Sequence, residues 1–144
     1  EIRKKAGLLS HGTGLYGDLT VLENIVFWTQ IAGVEKSEIE NRISWALKRM
    51  DLNSKLQSQK VRSLSVGQKR RASLAVFIVR RPSLWLLDEP HAGLDQAGRE
   101  IVDELIKESV KAGATVIVAS HDLDRVLNLS TRVVNLSGGS VVDV

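Results

Sequence analysis

Apolar and polar positions alternate along this chain in blocks that switch between the period of a strand and the period of a helix. Leu84-Trp85-Leu86-Leu87 runs straight into Asp88-Glu89-Pro90. Four bulky apolar residues in a row predict a strand buried on both faces, and the proline cannot extend it. Thr115-Val116-Ile117-Val118-Ala119 predicts a second buried strand, ending at Ser120-His121-Asp122. Ala6 to Ser10 predicts a third, short one, followed by the loop His11-Gly12-Thr13-Gly14-Leu15-Tyr16-Gly17-Asp18, whose three glycines favour a mobile turn over regular structure. Between the strands the period changes. Thr20-Val21-Leu22-Glu23 has the form of a capping box and opens a helix to about Ala32; Ser37-Glu38-Ile39-Glu40 has the same form. In that second helix Ile39, Ile43, Ala46, Leu47 and Met50 share one face and predict core packing.

Asp51 to Arg62 is polar and irregular. Leu64-Ser65-Val66-Gly67-Gln68 then starts a helix that runs to the Arg81-Pro82 stop, with Ser65 and Gln68 again spaced as a box. Gly67 is unusual in a first helical turn, where glycine is costly unless something must approach the backbone closely. Unpaired amides and a positive dipole make a helix start suited to an anion, so Ser65, Gly67 and Gln68 are candidates for gripping a phosphate. Ala97 to Lys111 is amphipathic through Ile101, Leu105, Ile106 and Val110, with Gly113 as its stop. A short helix through Leu129 follows, then Arg132 to Leu136, a Gly138-Gly139 hairpin turn and an edge strand over Ser140 to Asp143. Strands alternating with helices predict an α/β fold with a parallel sheet, whose carboxyl ends are where ligands bind. Asp88, Glu89 and His121 all fall there. Neighbouring acids at a strand end point to opposite sides, so one can hold a metal ion while the other faces a reacting water; an acidic cap on a core strand is the plainer reading.

Composition narrows the function classes. The chain has 144 residues, 43% of them apolar, enough for one domain with a real core. Without cysteine it has no disulfide framework and no thiolate metal site. The longest apolar run, Ala72 to Val79, is far too short to span a bilayer, so a membrane role must pass through a partner. The net charge is +3, with basic clusters at Arg3-Lys4-Lys5, Lys69-Arg70-Arg71 and Arg80-Arg81. Acidic residues are spread between them and aromatics make up only 4%, so no nucleic-acid partner is expected. Glu1-Ile2-Arg3-Lys4-Lys5 has no secretory pattern, and the abrupt start without Met suggests part of something longer. His11, His91 and His121 match no zinc-ligand spacing.

Leu64-Ser65-Val66-Gly67-Gln68, Leu86-Leu87-Asp88-Glu89-Pro90, Gly93-Leu94-Asp95 and Ser120-His121-Asp122 occur in this order over most of the chain. Together they resemble the nucleotide-binding subunit of ABC transporters. The resemblance implies the ABC ATPase variant of the P-loop NTPase fold, with a helical subdomain over about 13–80 inserted in a catalytic core of 1–12 and 81–144. It makes the stretch from Leu64 the signature motif, with Ser65, Gly67 and Gln68 at a nucleotide phosphate. Asp88 then holds Mg through water, Glu89 is the general base, Asp95 lies in the D-loop and His121 is the switch histidine. His11 stands where the family has its Q-loop glutamine. The implied cofactors are ATP and Mg²⁺. The implied partners are a transmembrane permease subunit and a second ATPase subunit, as a homodimer or a paired chain, at the cytoplasmic face of the membrane. Within the family, Ser65 to Arg71, Leu84 to Leu87 and His11 look most like the haem-exporter ATPase of cytochrome c maturation. Multidrug-type exporters differ from it at only a few such residues, so the resemblance implies a haem or multidrug-type exporter.

The chain departs from the pattern in three places. No Gly-x-x-x-x-Gly-Lys-Ser/Thr P-loop occurs in these residues, so they look like the C-terminal part of the domain and are expected to be inactive alone. His11 replaces glutamine, and Val66 replaces a glycine. Two further classes share some of these features: a non-transport ATPase of the same superfamily, and a non-catalytic binding module.

Overall fold

The computed structural model describes residues 5–142. The basic cluster's Arg3 and Lys4, the first residues of the chain, and Asp143 at the expected end of the last strand lie outside the described residues. Three short strands, β1 (Ala6–Leu9), β2 (Leu84–Asp88) and β3 (Thr115–Ala119), form a parallel sheet in the order β1-β2-β3. Leu9 lies beside Leu87, and Leu87 beside Val118, so all three strands point their carboxyl ends the same way.

In this register Leu9, Trp85, Leu87, Val116 and Val118 share one face of the sheet. That face packs into the core with α4 (Val66–Val79) and α5 (Gln96–Lys111), where Phe77 meets Trp85 edge to face at 4.8 Å. The opposite face is different. Leu8 and Ile117 are 65% and 56% exposed, and Leu84 and Leu86 are only half-buried. The strands expected to be buried on both faces are therefore covered on one, because both helices that pack on the sheet within the described residues belong to the same core.

Three helical segments precede α4: α1 (Val21–Ile31), α2 (Lys36–Arg49) and the single turn α3 (Ser54–Gln57), with a 3₁₀ turn at Val61–Ser63. The stretch expected to be irregular thus holds two short turns, and it buries Leu52 and Val61. Thr20 caps α1 through a complete box with Glu23, as its spacing predicts. The second expected box does not form. Glu35 is the N-cap of α2, with no side-chain cap bond, and Ser37 lies inside the helix. The backbone N–H of Glu38 reaches the Glu35 carbonyl at 2.9 Å and closes the first turn two residues early, while Glu38 pairs with Arg42 one turn on. Ile43, Ala46, Leu47 and Met50 are buried on the face the periodicity assigned them, with Ile39 packed at its margin.

The glycine-rich loop is anchored rather than loose. The Asn24 side chain accepts from Tyr16 N at 2.8 Å and donates back to Tyr16 O, and Arg62 pairs with Asp18. After β3 comes α6 (Leu123–Leu129), then β4 (Asn135–Ser137) and β5 (Ser140–Val142) as a separate antiparallel hairpin. Its turn residues Gly138 and Gly139 both have positive φ, the requirement of a two-residue hairpin turn. Arg132 to Val134, expected within the strand, lie outside it.

Candidate functional site

Two groups of the residues singled out above are assembled, at separate places. The first lies at the carboxyl end of the sheet. Asp88 is the last residue of β2 and is exposed. Glu89 leaves strand geometry at once: its φ is 46°, a left-handed backbone that costs a non-glycine residue on the order of 1 kcal/mol or more. The expected alternation of two acids along an extended strand therefore does not apply, and the turn aims the Glu89 carboxylate across to the end of β3. His121 N donates to Glu89 Oε1 at 2.9 Å, and the His121 ring meets the same oxygen through Nδ1 at 2.7 Å. Ser120 Oγ donates to Oε2 at 3.2 Å. Burial, the strongest influence, would raise the carboxyl's pKa. Hydrogen bonds from the His121 ring and backbone and from Ser120 outweigh it, and Glu89 is held below its ordinary value. It is an ionised acceptor with three donors, while the His121 side chain stays 88% exposed.

Arg70, which the sequence presents in the basic cluster Lys69-Arg70-Arg71 and in the signature stretch, holds this end together. It is buried, and its guanidinium donates to the carbonyls of Ser10 (2.8 Å), Asp88 (3.1 Å), Glu89 (2.6 Å) and Pro90 (3.4 Å). One side chain thus fixes the ends of β1 and β2 and the turn that carries Glu89. The signal was present. Arg70, Ser73, Leu74, Phe77 and Ile78 recur at helical spacing and are all buried, so Arg70 sits on the core stripe of α4. His11 follows Ser10 on this rim and is exposed; its side chain makes no hydrogen bond to Glu89 or His121.

The second group lines a cleft of about 310 Å³ formed by Ser65, Gly67, Gln68 and Arg71 at the start of α4 and by Gly93, Leu94 and Asp95. Ser65 caps α4 by accepting from Gln68 N, and Gln68 Oε1 accepts from Ser65 N at 3.0 Å. Gln68 thereby uses its backbone N–H and its Oε1, which leaves its side-chain Nε2 amide, the Ser65 hydroxyl proton and the first amides of the helix as donors at the cleft. A Cβ on Gly67 would lie 3.0 Å from the Gly93 carbonyl oxygen, so the close approach that favours glycine comes here from the chain itself. Asp95 caps α5 by accepting from Gly98 N and pairs with Arg71 at 2.9 Å. These bonds, the Gly98 amide first, lower its pKa. The cleft shares no lining residue with the Glu89–His121 pair.

Among the described residues at this end of the sheet, Asp88 is the carboxylate left for a metal. Glu89 is occupied by His121 and Ser120, and among the described residues no three His, Cys, Asp or Glu side chains converge. Asp88 alone fits Mg²⁺, which is held by one or two carboxylates with water and substrate phosphates as its other ligands.

Residues 1–92 match the family model described as ABC transporter. The chain is 38% identical over 144 residues to the energy-coupling factor transporter ATP-binding protein EcfA of Carboxydothermus hydrogenoformans, covering 99% of this chain and 53% of that protein. It is 29% identical over 142 residues to the linearmycin resistance ATP-binding protein LnrL of Bacillus subtilis, covering 99% and 45%. Among solved structures it resembles the dimeric post-hydrolysis state of the ATP-binding cassette MJ0796 bound to ADP and Pi. The TM-score there is 0.84 at 28% identity, over 97% of this chain and 62% of that one. The chain spans about half the length of the relatives it matches.

Proposed function

Since this chain belongs to the ABC transporter family and matches its ATP-binding domain, we propose that the intact protein hydrolyses ATP to drive a membrane transporter. The observation that carries the proposal is the Glu89–His121 pair. A glutamate turned out of its strand by a left-handed backbone, next to a free aspartate, meets a histidine delivered by the neighbouring parallel strand. That is a site for moving a proton beside a phosphoryl group.

In this reading Glu89 takes a proton from the attacking water. Its low basicity in the state described follows from its bond to His121, so substrate must draw the two apart. The exposed edge of His121 then meets the transferring phosphoryl group. Asp88 would hold Mg²⁺, through water, and the ion when bound would supply neutralisation of phosphate charge. Ser65 and Gly67 meet the phosphate of a nucleotide held mainly by another subunit, with Asp95 and Gln68 shaping that cleft. Residues 13–80 form the helical subdomain and the rest the catalytic core. An open apolar cleft of about 540 Å³ between α1 and α2, lined by Leu22, Val26, Ile39, Ile43, Leu47 and Leu52, supports the helical part as the face that meets a permease. No described helix is long and apolar enough to cross a membrane. In this reading the permease holds the protein at the cytoplasmic face.

The finer branch we propose is the haem exporter of cytochrome c maturation, on the strength of Ser65 to Arg71, Leu84 to Leu87 and His11. Mg-dependent phosphate release by the full-length protein with its membrane partner tests the reading. Stimulation by haem rather than by amphipathic drugs supports the branch, and the reverse removes it. Calorimetry on the 144-residue chain alone should show no saturable heat with Mg-ATP, because its helix-end donors supply only part of a phosphate site.

A further inference from the structure

Helix α6 carries His121 at its entrance, and little apolar packing fixes that end. Among the described residues none of its side chains is fully buried: Leu129 at its far end packs against the core, while Leu123 and Leu127 are 62% and 57% exposed. A seven-residue helix whose core contact lies at its far end is weakly positioned by packing where His121 enters it. The polar contacts behind the helix are the opposite case. Arg125 of α6 pairs through Nη1 with Asp103 Oδ2, and both side chains are only 18% exposed. Asp103, on α5, accepts at Oδ1 from His91 Nε2 at 2.7 Å. His91 is 4% exposed and lies two residues beyond Glu89. Arg125 Nε also faces Asp122 at 3.6 Å, Asp122 N donates to Ser120 Oγ at 3.1 Å, and Ser120 donates to Glu89. The contacts close into a ring that begins and ends at Glu89.

We propose that His91, Asp103 and Arg125 are positioning residues that bracket α6 against the turn after Glu89 and so set the distance between Glu89 and His121. This rests on the reading of that pair as the reacting groups. The chemistry of the ring is specific. Burial, opposed by Asp103, pushes the His91 imidazole below its ordinary pKa and keeps it neutral. Its Nε2 proton then goes to Asp103 and its buried Nδ1, which has no partner, is a bare lone pair rather than an unsatisfied N–H. The Asp103 charge is left for Arg125, and removing either partner strands a largely buried charge. The groups facing His91 are Asp103 on α5 and Arg125 and Asp122 at α6.

The test uses the full-length protein and two readouts. Amide hydrogen exchange measures the bond from His121 N to Glu89 directly. Arg125→Met should lower protection at His121 and Asp122 by about tenfold, the scale of losing one hydrogen bond. Amides of the β2–β3 ladder should be unchanged, and Arg125→Lys should restore part of the loss. Steady-state ATPase of the same variants should show turnover reduced with KM for ATP unaltered, since the bracket acts on the reacting pair and not on binding. If Arg125→Met instead lowers protection throughout the sheet, the isosteric Asp103→Asn decides. Unchanged protection at His121 in the deciding variant overturns the proposal. If the wild type hydrolyses no ATP, the functional reading fails while the exchange result still judges the bracket.

Discussion

A glutamate with a φ of 46° has left the strand it ends, and that single backbone choice turns two adjacent acids into groups with different neighbours. Glu89→Gln keeps the shape and still accepts from His121 N, but it cannot take a proton. In the full-length protein ATP binding should persist while turnover falls by a factor on the order of a hundred or more. Near wild-type turnover in a phosphate-release assay would reduce Glu89 to a strand cap. His91 gives a prediction with a sign. Its folded pKa lies below the ordinary 6.5 because of burial, so the unfolded chain binds the proton more readily. The stability it contributes is present above 6.5 and is lost as pH falls from there through the folded value. Denaturant midpoints should decline over that window, and His91→Gln should flatten the decline; parallel curves for both proteins would remove His91 as the cause. Asp88, Glu89 and His121 were readable because strand ends are written in short apolar runs. Arg70 and the His91–Asp103–Arg125 ring were not, since a buried cation looks like a surface charge until its helical face is counted.

At the scale of elements, spacing alone could not separate a box that forms from one that does not. Thr20 and Ser65 each cap a helix whose first turn starts just after them. Ser37 has the same spacing to Glu40, but α2 begins earlier at Glu35, and competition for the first turn lies in the backbone rather than in the pattern. Thr20→Ala should therefore cost about 1 kcal/mol, whereas Ser37→Ala should change stability little or raise it slightly, alanine being the better helix former. Paired urea titrations separate the two, and equal losses would contradict the observed N-cap. The strand faces are a related case. Within the described residues α4 and α5 cover one face of the sheet, and an apolar run alone does not say which. The core face of α2, set by a strict helical period, needed no such context.

At the scale of the molecule, the anion-ready start of α4 and the Glu89–His121 pair are two sites with no lining residue in common. The proposed function has a single nucleotide served by both and shared between subunits, with Ser65 acting on a phosphate held mainly by its partner. Ser65→Arg would fill the cleft beside Gly67 and Gly93 with a bulky cation. It would also remove the cap that accepts from Gln68 N, a loss of about 1 kcal/mol that a domain of this size can sustain. Mixing full-length Ser65→Arg subunits with subunits disabled at the phosphate-binding lysine of the other half-site should give heterodimers with one site damaged twice and one intact. Some hydrolysis should then return although each variant alone is inactive. Heterodimers that form, shown by differential tags, but restore nothing would mean strict coupling of the sites or action within one subunit. Photolabelling separates those two: a nucleotide analogue bound by a tagged partner should label the segment at Ser65 across the interface. Labelling confined to the tagged chain would place Ser65 on its own subunit's nucleotide and end the shared-site reading.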